Sequence, residues 1–194
     1  MRAALSFVAL QAGWFACVLG AAKGWPWLGP VFVAAILPVH LRGRPAHARK
    51  GEAAVLAVAA FMGFAIDTAL LQAGTLVLPG ASVSPPWLVA LWPNFAAATA
   101  EGGSLRSFAG RPLGSALLGA IAAPLAYDGG ARMGAMTLGE PRASSWLTLA
   151  AVWLFVLPIL FAVRGRVGGD GDGDGDGDGD GDGDGDGDGG RRAP

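Results

Sequence analysis

The fold is decided by one apolar stretch, AAVLAVAAFMGFAIDTALLQA, which runs from Ala53 to Ala73. A helix needs about 20 residues, at 1.5 Å each, to cross about 30 Å of hydrocarbon. This stretch has that length and contains one charged residue, Asp67. It therefore predicts a transmembrane helix with a carboxylic acid inside it.

Five further apolar stretches surround it. The first, from about Ala4 to Ala22, and the sixth, from Ser145 to Val163, also have full spanning length. The other three are shorter and contain prolines, which leaves open a broken or re-entrant segment among them. The sequence predicts an all-α polytopic membrane helix bundle with about six transmembrane helices. The shorter segments are the second (about Trp25 to Leu41), the fourth (Trp87 to about Ala100) and the fifth (Pro112 to Tyr127).

Composition divides the chain into two parts. Of its 194 residues, 53% are hydrophobic and 15% are charged, and much of that charge lies near the carboxyl end. We assign residues 1–166 to the transmembrane helical domain and residues 167–194 to a low-complexity acidic tail. Because Gly and Asp alternate from Asp170 to Asp188, the tail has no apolar side chain to bury, so it is predicted to be disordered.

Positive charge predicts the orientation. Lys and Arg fall almost entirely on alternate connections, which is the charge pattern of a multi-pass membrane protein. We therefore predict a multi-pass membrane protein with both termini in the cytoplasm. A cleaved amino-terminal signal peptide is the alternative, and it would leave five spans. Nine cations lie on the predicted inner side (Arg2, Arg42, Arg44, Arg49, Lys50, Arg106, Arg111, Arg164 and Arg166) and three on the outer side (Lys23, Arg132 and Arg142).

The loop from Arg42 to Lys50 is the most basic connection. It could bind anionic lipid headgroups as well as the surrounding bilayer, or it could serve only to fix the topology. His40 and His47 belong to the same region, but no further ligands at matching positions support a metal site. We predict no metal and no cofactor.

Polar residues inside the apolar segments are the candidate functional residues. Placing a charge near a helix centre costs about 2.5 to 3.5 kcal/mol, so Asp67 needs compensation. Counting residues along the spans brings the ends of the third and fifth segments to the same outer level. We predict a polar pocket that opens outward, with two of its residues nearer the midplane. The alternative is that Asp67 pairs with Arg132 for structural reasons alone. The pocket set is Asp67, Gln72, Tyr127, Asp128 and Arg132, with Gln11 and Asn94 deeper.

The sequence leaves three function classes open. A small transporter or permease would use the outward polar pocket as a substrate path. A membrane-embedded accessory or enzyme in lipid modification would use it at headgroup depth, and a scaffold would position other proteins. No readable nucleophile and base, nucleotide loop or metal constellation favours an enzyme. A nucleic-acid partner has no basic helix or aromatic platform to support it.

Several motifs resemble a known family. Gln11-Ala12-Gly13-Trp14-Phe15 and the segment Pro86-Trp87 through Trp92-Pro93-Asn94 are similar to domain-of-unknown-function family 2878, as is Gly119 through Tyr127. The likeness covers about residues 7 to 163 and implies a bacterial inner-membrane protein without an assigned activity. The family pattern also implies an Asn-His pair after the fourth segment. This chain has Gly102-Gly103 there instead.

Overall fold

The computed structural model describes residues 2–168. Two turns of 3₁₀ helix, at Ala46–Ala48 and Arg106–Phe108, lie in the connections. Two strands of two residues each, β1 (Leu76–Val77) and β2 (Thr137–Leu138), also lie there. Most of the predicted acidic tail, residues 169–194, lies outside the described residues. The six α-helices are α1 (Arg2–Ala22), α2 (Leu28–Arg42), α3 (Arg49–Gln72), α4 (Pro86–Ala98), α5 (Pro112–Arg132) and α6 (Arg142–Gly168).

Three helical segments are long and apolar enough to cross a membrane. They cover Arg2–Ala22, Ala46–Gln72 and Arg142–Val167, and they correspond to the three stretches predicted to have full spanning length. The predicted all-helical fold is therefore confirmed, and the three apolar segments indicate a membrane protein. α4, with 13 residues, extends only about 20 Å.

The helix ends differ in places from the sequence boundaries. α5 continues for five residues beyond Tyr127, where its apolar segment was predicted to end. The extension carries Asp128 and Arg132, which are one helical turn apart and form an i,i+4 ion pair. The apolar segment ends before the first charged residue, Asp128. The helix continues beyond it because Asp128 and Arg132 form an ion pair with each other.

The short helix α4 occupies the middle of the bundle. It packs against α1, α2 and α3, while α5 packs chiefly against α6, and α6 also packs against α3. The Trp92 indole of α4 stacks on the Trp153 indole of α6, with ring centroids 5.0 Å apart and an angle of 27° between the planes. This aromatic pair joins the centre of the bundle to its last helix.

The connections gather at two opposite ends. At one end, β1 and β2 pair antiparallel, with Leu76 opposite Leu138, so that the α3–α4 and α5–α6 connections lie together. We call this the strand-pair end. At the other end, which we call the basic end, Arg44 lies 3.6 Å from Glu101 and the backbone N–H of Ser104 donates to Ser6 Oγ. The α3–α4 and α5–α6 connections therefore lie together at the strand-pair end. The α2–α3 and α4–α5 connections and the start of α1 lie together at the basic end.

Candidate functional site

The Asp67 carboxylate lies at the centre of the helical body and is completely buried. Its Oδ2 accepts a hydrogen bond of 2.8 Å from Trp92 Nε1. Its Oδ1 accepts one of 2.6 Å from the Tyr127 hydroxyl. Three helices, α3, α4 and α5, therefore meet through one carboxylate. Both of its partners are neutral, whereas the alternative sequence prediction gave it a cationic partner, Arg132.

A glycine allows this approach. Gly63 lies one turn before Asp67 on α3, and a Cβ atom at that position would overlap the Trp92 indole. Trp153 stacks against Trp92 and meets Phe95 edge to face at 5.4 Å. The Trp92 ring is therefore packed against both Gly63 and Trp153, and its N–H donates to Asp67.

A cavity of about 450 Å³ lies beside this cluster. It is bounded by α1, α4, α5 and α6, and its size falls within the usual range of small-molecule sites. Most of its surface is apolar. The residues that define its outline include Leu10 and Trp14 on α1, Leu88 and Leu91 on α4, Ala122 and Leu125 on α5, and Leu157 on α6.

Several residues with polar groups line the cavity. Tyr127, the partner of Asp67, is one of them, and Gln11 and Asn94 are two others. Asn94 donates through Nδ2 to the Leu10 carbonyl at 3.0 Å, which ties α4 to α1. Asp67 does not line the cavity, because its two hydrogen-bond partners, Trp92 and Tyr127, lie between its oxygens and the cavity.

Asp128 and Arg132 belong to a second cluster at the strand-pair end. Asp128 Oδ2 accepts from Arg132 Nε at 2.6 Å, and Oδ1 accepts from Arg142 Nε at 2.9 Å and from Trp146 Nε1 at 3.3 Å. Asp128 follows the predicted fifth membrane segment. Hydrogen bonds from Arg132, with smaller contributions from Arg142 and Trp146, outweigh burial and lower the Asp128 pKa to about 2. Its carboxylate is therefore ionised and bound by two arginines.

The predicted pocket set is thus divided among several places. Tyr127, Gln11 and Asn94 line the cavity, and Asp67 contacts it through Tyr127. Asp128 and Arg132 lie in the separate charged cluster. Gln72 is exposed near the end of α3. Asp67 and Tyr127 are hydrogen-bonded to each other, whereas residue counting gives no information about which helix face each side chain occupies.

A buried ionic cluster at the basic end was missed in the sequence analysis. Arg164, counted there as a topology-setting cation, donates to Glu52 at 2.5 and 3.2 Å, to Thr99 Oγ1 at 2.9 Å and to the Ala96 carbonyl at 2.8 Å. His40 Nε2 lies 2.9 Å from the same Glu52 carboxylate. The available signal was Glu52, an acidic residue at the edge of an apolar stretch.

The helical body just described coincides with a family match. A sequence model described as Protein of unknown function (DUF2878) matches residues 3–159. The chain belongs to the DUF2878 family. The suspected resemblance is thereby confirmed, and the match includes both the Asp67 cluster and the cavity of this DUF2878 member. No curated protein and no solved structure matches the chain.

The polar side chains at the cavity of this DUF2878 member can form hydrogen bonds and exchange protons. Within residues 2–168, no group of three or more His, Cys, Asp and Glu side chains is placed to hold a metal ion. The buried pair of Tyr127 and Asp67 is the titratable unit closest to the cavity. A phenol held by a carboxylate can orient a polar group or exchange a proton with it.

Proposed function

We propose that this protein takes the apolar chain of a membrane lipid into the cavity between α1 and α5 and serves lipid modification, either as an accessory or as an enzyme. The observation that carries the proposal is the composition of the cavity wall. An apolar cavity within a membrane helix bundle, with the Tyr127–Asp67 pair at one side, suits a hydrocarbon chain that carries a polar group.

Access from the bilayer side supports this proposal. Ala122 and Leu125 both line the cavity and are exposed on the surface of α5, with Leu125 55% exposed. Near the strand-pair end, α1 and α5 approach each other more closely. There, Cβ atoms at Gly129 and Gly130 would lie 3.6 Å from Trp14 and 3.8 Å from Val18. A lipid chain would therefore reach the cavity laterally, past the middle of α5.

The cavity composition favours lipid over a polar solute. A transporter for a polar substrate would use a polar path through the bundle, whereas the candidate polar residues lie in separate clusters and the cavity is mainly apolar. A scaffold would not need a cavity of this size. Between the two lipid roles, the Tyr127–Asp67 pair supports chemistry only if the bound lipid places a reacting group at the phenol.

The proposed setting follows the charge pattern. We propose that all six helices of residues 1–166 cross or enter the bacterial inner membrane, with both termini in the cytoplasm. The basic end would then face the cytoplasmic leaflet, where Arg42, Arg49 and Lys50 would attract anionic headgroups. The strand-pair end would face outward.

The proposal is tested by photo-crosslinking in liposomes. Full-length protein would be reconstituted in phosphatidylcholine and phosphatidylglycerol that include a phosphatidylcholine with a diazirine in its acyl chain. We expect labelling of the cavity residues Leu10 and Leu118, read by peptide mass spectrometry. Ala122→Phe should at least halve this labelling, because a phenyl ring would occupy part of the space next to α5.

A matched substitution controls for lipid exposure. Ala151 is an exposed alanine on α6 that does not line the cavity, so Ala151→Phe should leave the labelling of Leu10 and Leu118 unchanged. Phe61, which is exposed on α3, provides an internal reference for chains that merely surround the protein. If cavity residues are labelled no more in wild type than in Ala122→Phe, the proposal is wrong.

A further inference from the structure

We infer that the phosphate group of a membrane lipid binds Arg132 and Arg142 at the strand-pair end, while a chain of the same lipid enters the cavity. This inference rests on the proposed lipid-binding function and names the chemical class of its ligand, a lipid that carries a phosphate. It depends on how the two arginines are held and on where they lie relative to the lateral opening.

One buried carboxylate holds both arginines. Asp128 is buried, and it accepts from Arg132 Nε at 2.6 Å through Oδ2 and from Arg142 Nε at 2.9 Å through Oδ1. The two guanidinium groups belong to different helices, α5 and α6. Because they share one carboxylate, they lie close enough together for a single phosphate group to contact both.

Both arginines have donors that a ligand can reach. The Arg132 side chain is 74% exposed and the Arg142 side chain is 46% exposed, although the carboxylate that they share is buried. Arg132 donates to Asp128 through Nε, and a guanidinium carries further N–H donors on its two terminal nitrogens. These planar donors match the oxygens of a phosphate in pairs, which is why arginine is common in phosphate sites.

The charge around the two guanidinium groups suits an anion. Asp128 carries one negative charge against the two positive charges of Arg132 and Arg142. Glu140 is an exposed acid close by in the chain, and its carboxylate accepts the Arg142 backbone N–H at 2.8 Å. Because that contact is to the backbone, the two guanidinium groups and Asp128 together retain one positive charge.

Arg132 lies in line with the lateral opening of the cavity. Leu125, an exposed residue of α5 that lines the cavity, precedes Arg132 by seven residues. Residues seven apart lie on the same face of a helix, here two turns or about 10 Å apart along the axis. A lipid chain that passes Leu125 would therefore have its headgroup on the face of α5 where Arg132 is exposed. Trp146, which donates to Asp128, is a residue type that favours headgroup depth.

The test compares two probes that differ by a phosphate group. Full-length protein would be reconstituted in digalactosyldiacylglycerol, an uncharged bilayer lipid without phosphate. A trace of phosphatidic acid or of diacylglycerol, each with the same diazirine-bearing acyl chain, would be added. Labelling of Leu10 and Leu118 would be divided by that of Phe61, so that different amounts of probe in the bilayer cancel. We expect this ratio to be about 5-fold higher for phosphatidic acid, the factor that one cation near an anionic headgroup provides.

Substitution of Arg132 assigns the effect to a residue. Arg132→Gln removes the charge, so it should lower the ratio for phosphatidic acid about 5-fold and leave that for diacylglycerol unchanged. Arg132→Lys should restore part of the loss, because an ammonium group keeps the charge but lacks the planar pair of donors. The matched control is Lys23→Gln, which removes an exposed cation that follows α1. It should leave both probes unchanged.

Inorganic phosphate distinguishes a lipid headgroup from a free anion. A lipid chain in the cavity keeps its own phosphate beside the arginines, so inorganic phosphate should lower labelling by phosphatidic acid no more than chloride does at equal ionic strength. Loss of the preference for phosphatidic acid in phosphate, but not in chloride, would overturn the assignment to a lipid, because the arginines would then bind a free anion.

The outcomes separate this inference from the proposed function. Equal ratios for phosphatidic acid and diacylglycerol in wild type, with both sensitive to Ala122→Phe, would overturn the phosphate assignment and leave lipid binding supported. Absence of cavity labelling by either probe would overturn both. If Arg132→Gln does not fold, the wild-type comparison of the two probes still decides the inference.

Discussion

The Asp67 carboxylate illustrates how a membrane protein can bury an acid without a cation. Its insertion into a helix costs about 2.5 to 3.5 kcal/mol. In place of a cation, Trp92 and Tyr127 each donate a hydrogen bond to the Asp67 carboxylate. Interhelical hydrogen bonds in membranes contribute about 0.6 kcal/mol on average and up to about 1.7 kcal/mol. Two bonds of average strength contribute about 1.2 kcal/mol, which is less than the cost, and this difference fits a role for Asp67 beyond helix packing.

At the residue scale we predict a measurable coupling between Asp67 and Tyr127. A double-mutant cycle of Asp67→Ala and Tyr127→Phe should give a coupling free energy of about 0.6 to 1.7 kcal/mol, because each single change removes one partner of the same hydrogen bond. The free energy of unfolding would be measured in mixed micelles. A cycle of Tyr127→Phe with Glu101→Gln, at the exposed basic end, should show no coupling beyond about 0.5 kcal/mol. Equal coupling in both cycles would contradict the hydrogen bond.

The sequence predicted part of this site. Asp67 was identifiable because an acid within an apolar span is costly, and depth counting brought Tyr127 to its level. Trp92 could not be recognised as a hydrogen-bond donor to Asp67, since a tryptophan in an apolar segment is indistinguishable by composition from a packing residue. The i,i+4 spacing of Asp128 and Arg132 is visible in the sequence, but the pairing of Asp128 with Arg142 is not, because it depends on which elements are neighbours.

At the element scale, α4 decides the packing. It is the shortest α-helix, yet it packs against α1, α2 and α3 and its aromatic side chains contact α6, and α3 approaches it closely at Gly63. Its central position was not predictable from hydropathy, which gave only a short, proline-containing segment. The physical reason for this packing is that a glycine on α3 lies against a large indole on α4. The glycine lets the two helices approach closely, as small residues do at helix interfaces in membranes.

We therefore predict that Gly63→Ala destabilises the protein by about 1 to 3 kcal/mol, since the added methyl group overlaps the Trp92 indole and forces it to shift. The free energy of unfolding, measured in mixed micelles, gives the loss of stability. Weaker quenching of the Trp92 fluorescence, or a shift of its emission, would accompany this loss. Gly165→Ala is the matched control on α6, where a Cβ atom meets nothing within 4 Å. It should cause no loss. Similar stability of both variants would argue against close α3–α4 packing.

At the scale of the whole molecule, the all-helical class of the protein followed from sequence. In the structure the α3–α4 and α5–α6 connections lie together at the strand-pair end, and the α2–α3 and α4–α5 connections lie together at the basic end. The packing order of the helices could not be predicted, because all six segments are similarly apolar and loop lengths permit several neighbours. The number of full crossings stays a prediction.

The predicted orientation can be measured by cysteine accessibility in spheroplasts. Cys17 is buried, and Cys17→Ser would provide a background without native thiols. In that background, Lys23→Cys should react with a membrane-impermeant maleimide in intact spheroplasts, because Lys23 lies on the predicted outer side. Glu101→Cys should react only after permeabilisation. Labelling of Glu101→Cys in intact spheroplasts, without labelling of Lys23→Cys, would reverse the orientation.

The spacing of the Asp67 partners has a consequence for biosynthesis. Trp92 follows Asp67 by 25 residues, and Tyr127 follows it by 60. At about 5 to 20 residues per second, a ribosome needs roughly 3 to 12 s after making Asp67 before it makes Tyr127. During that interval the nascent chain contains the acid with at most one of its two final partners. Insertion of α3 and completion of its hydrogen bonds are therefore separate events in the life of each molecule.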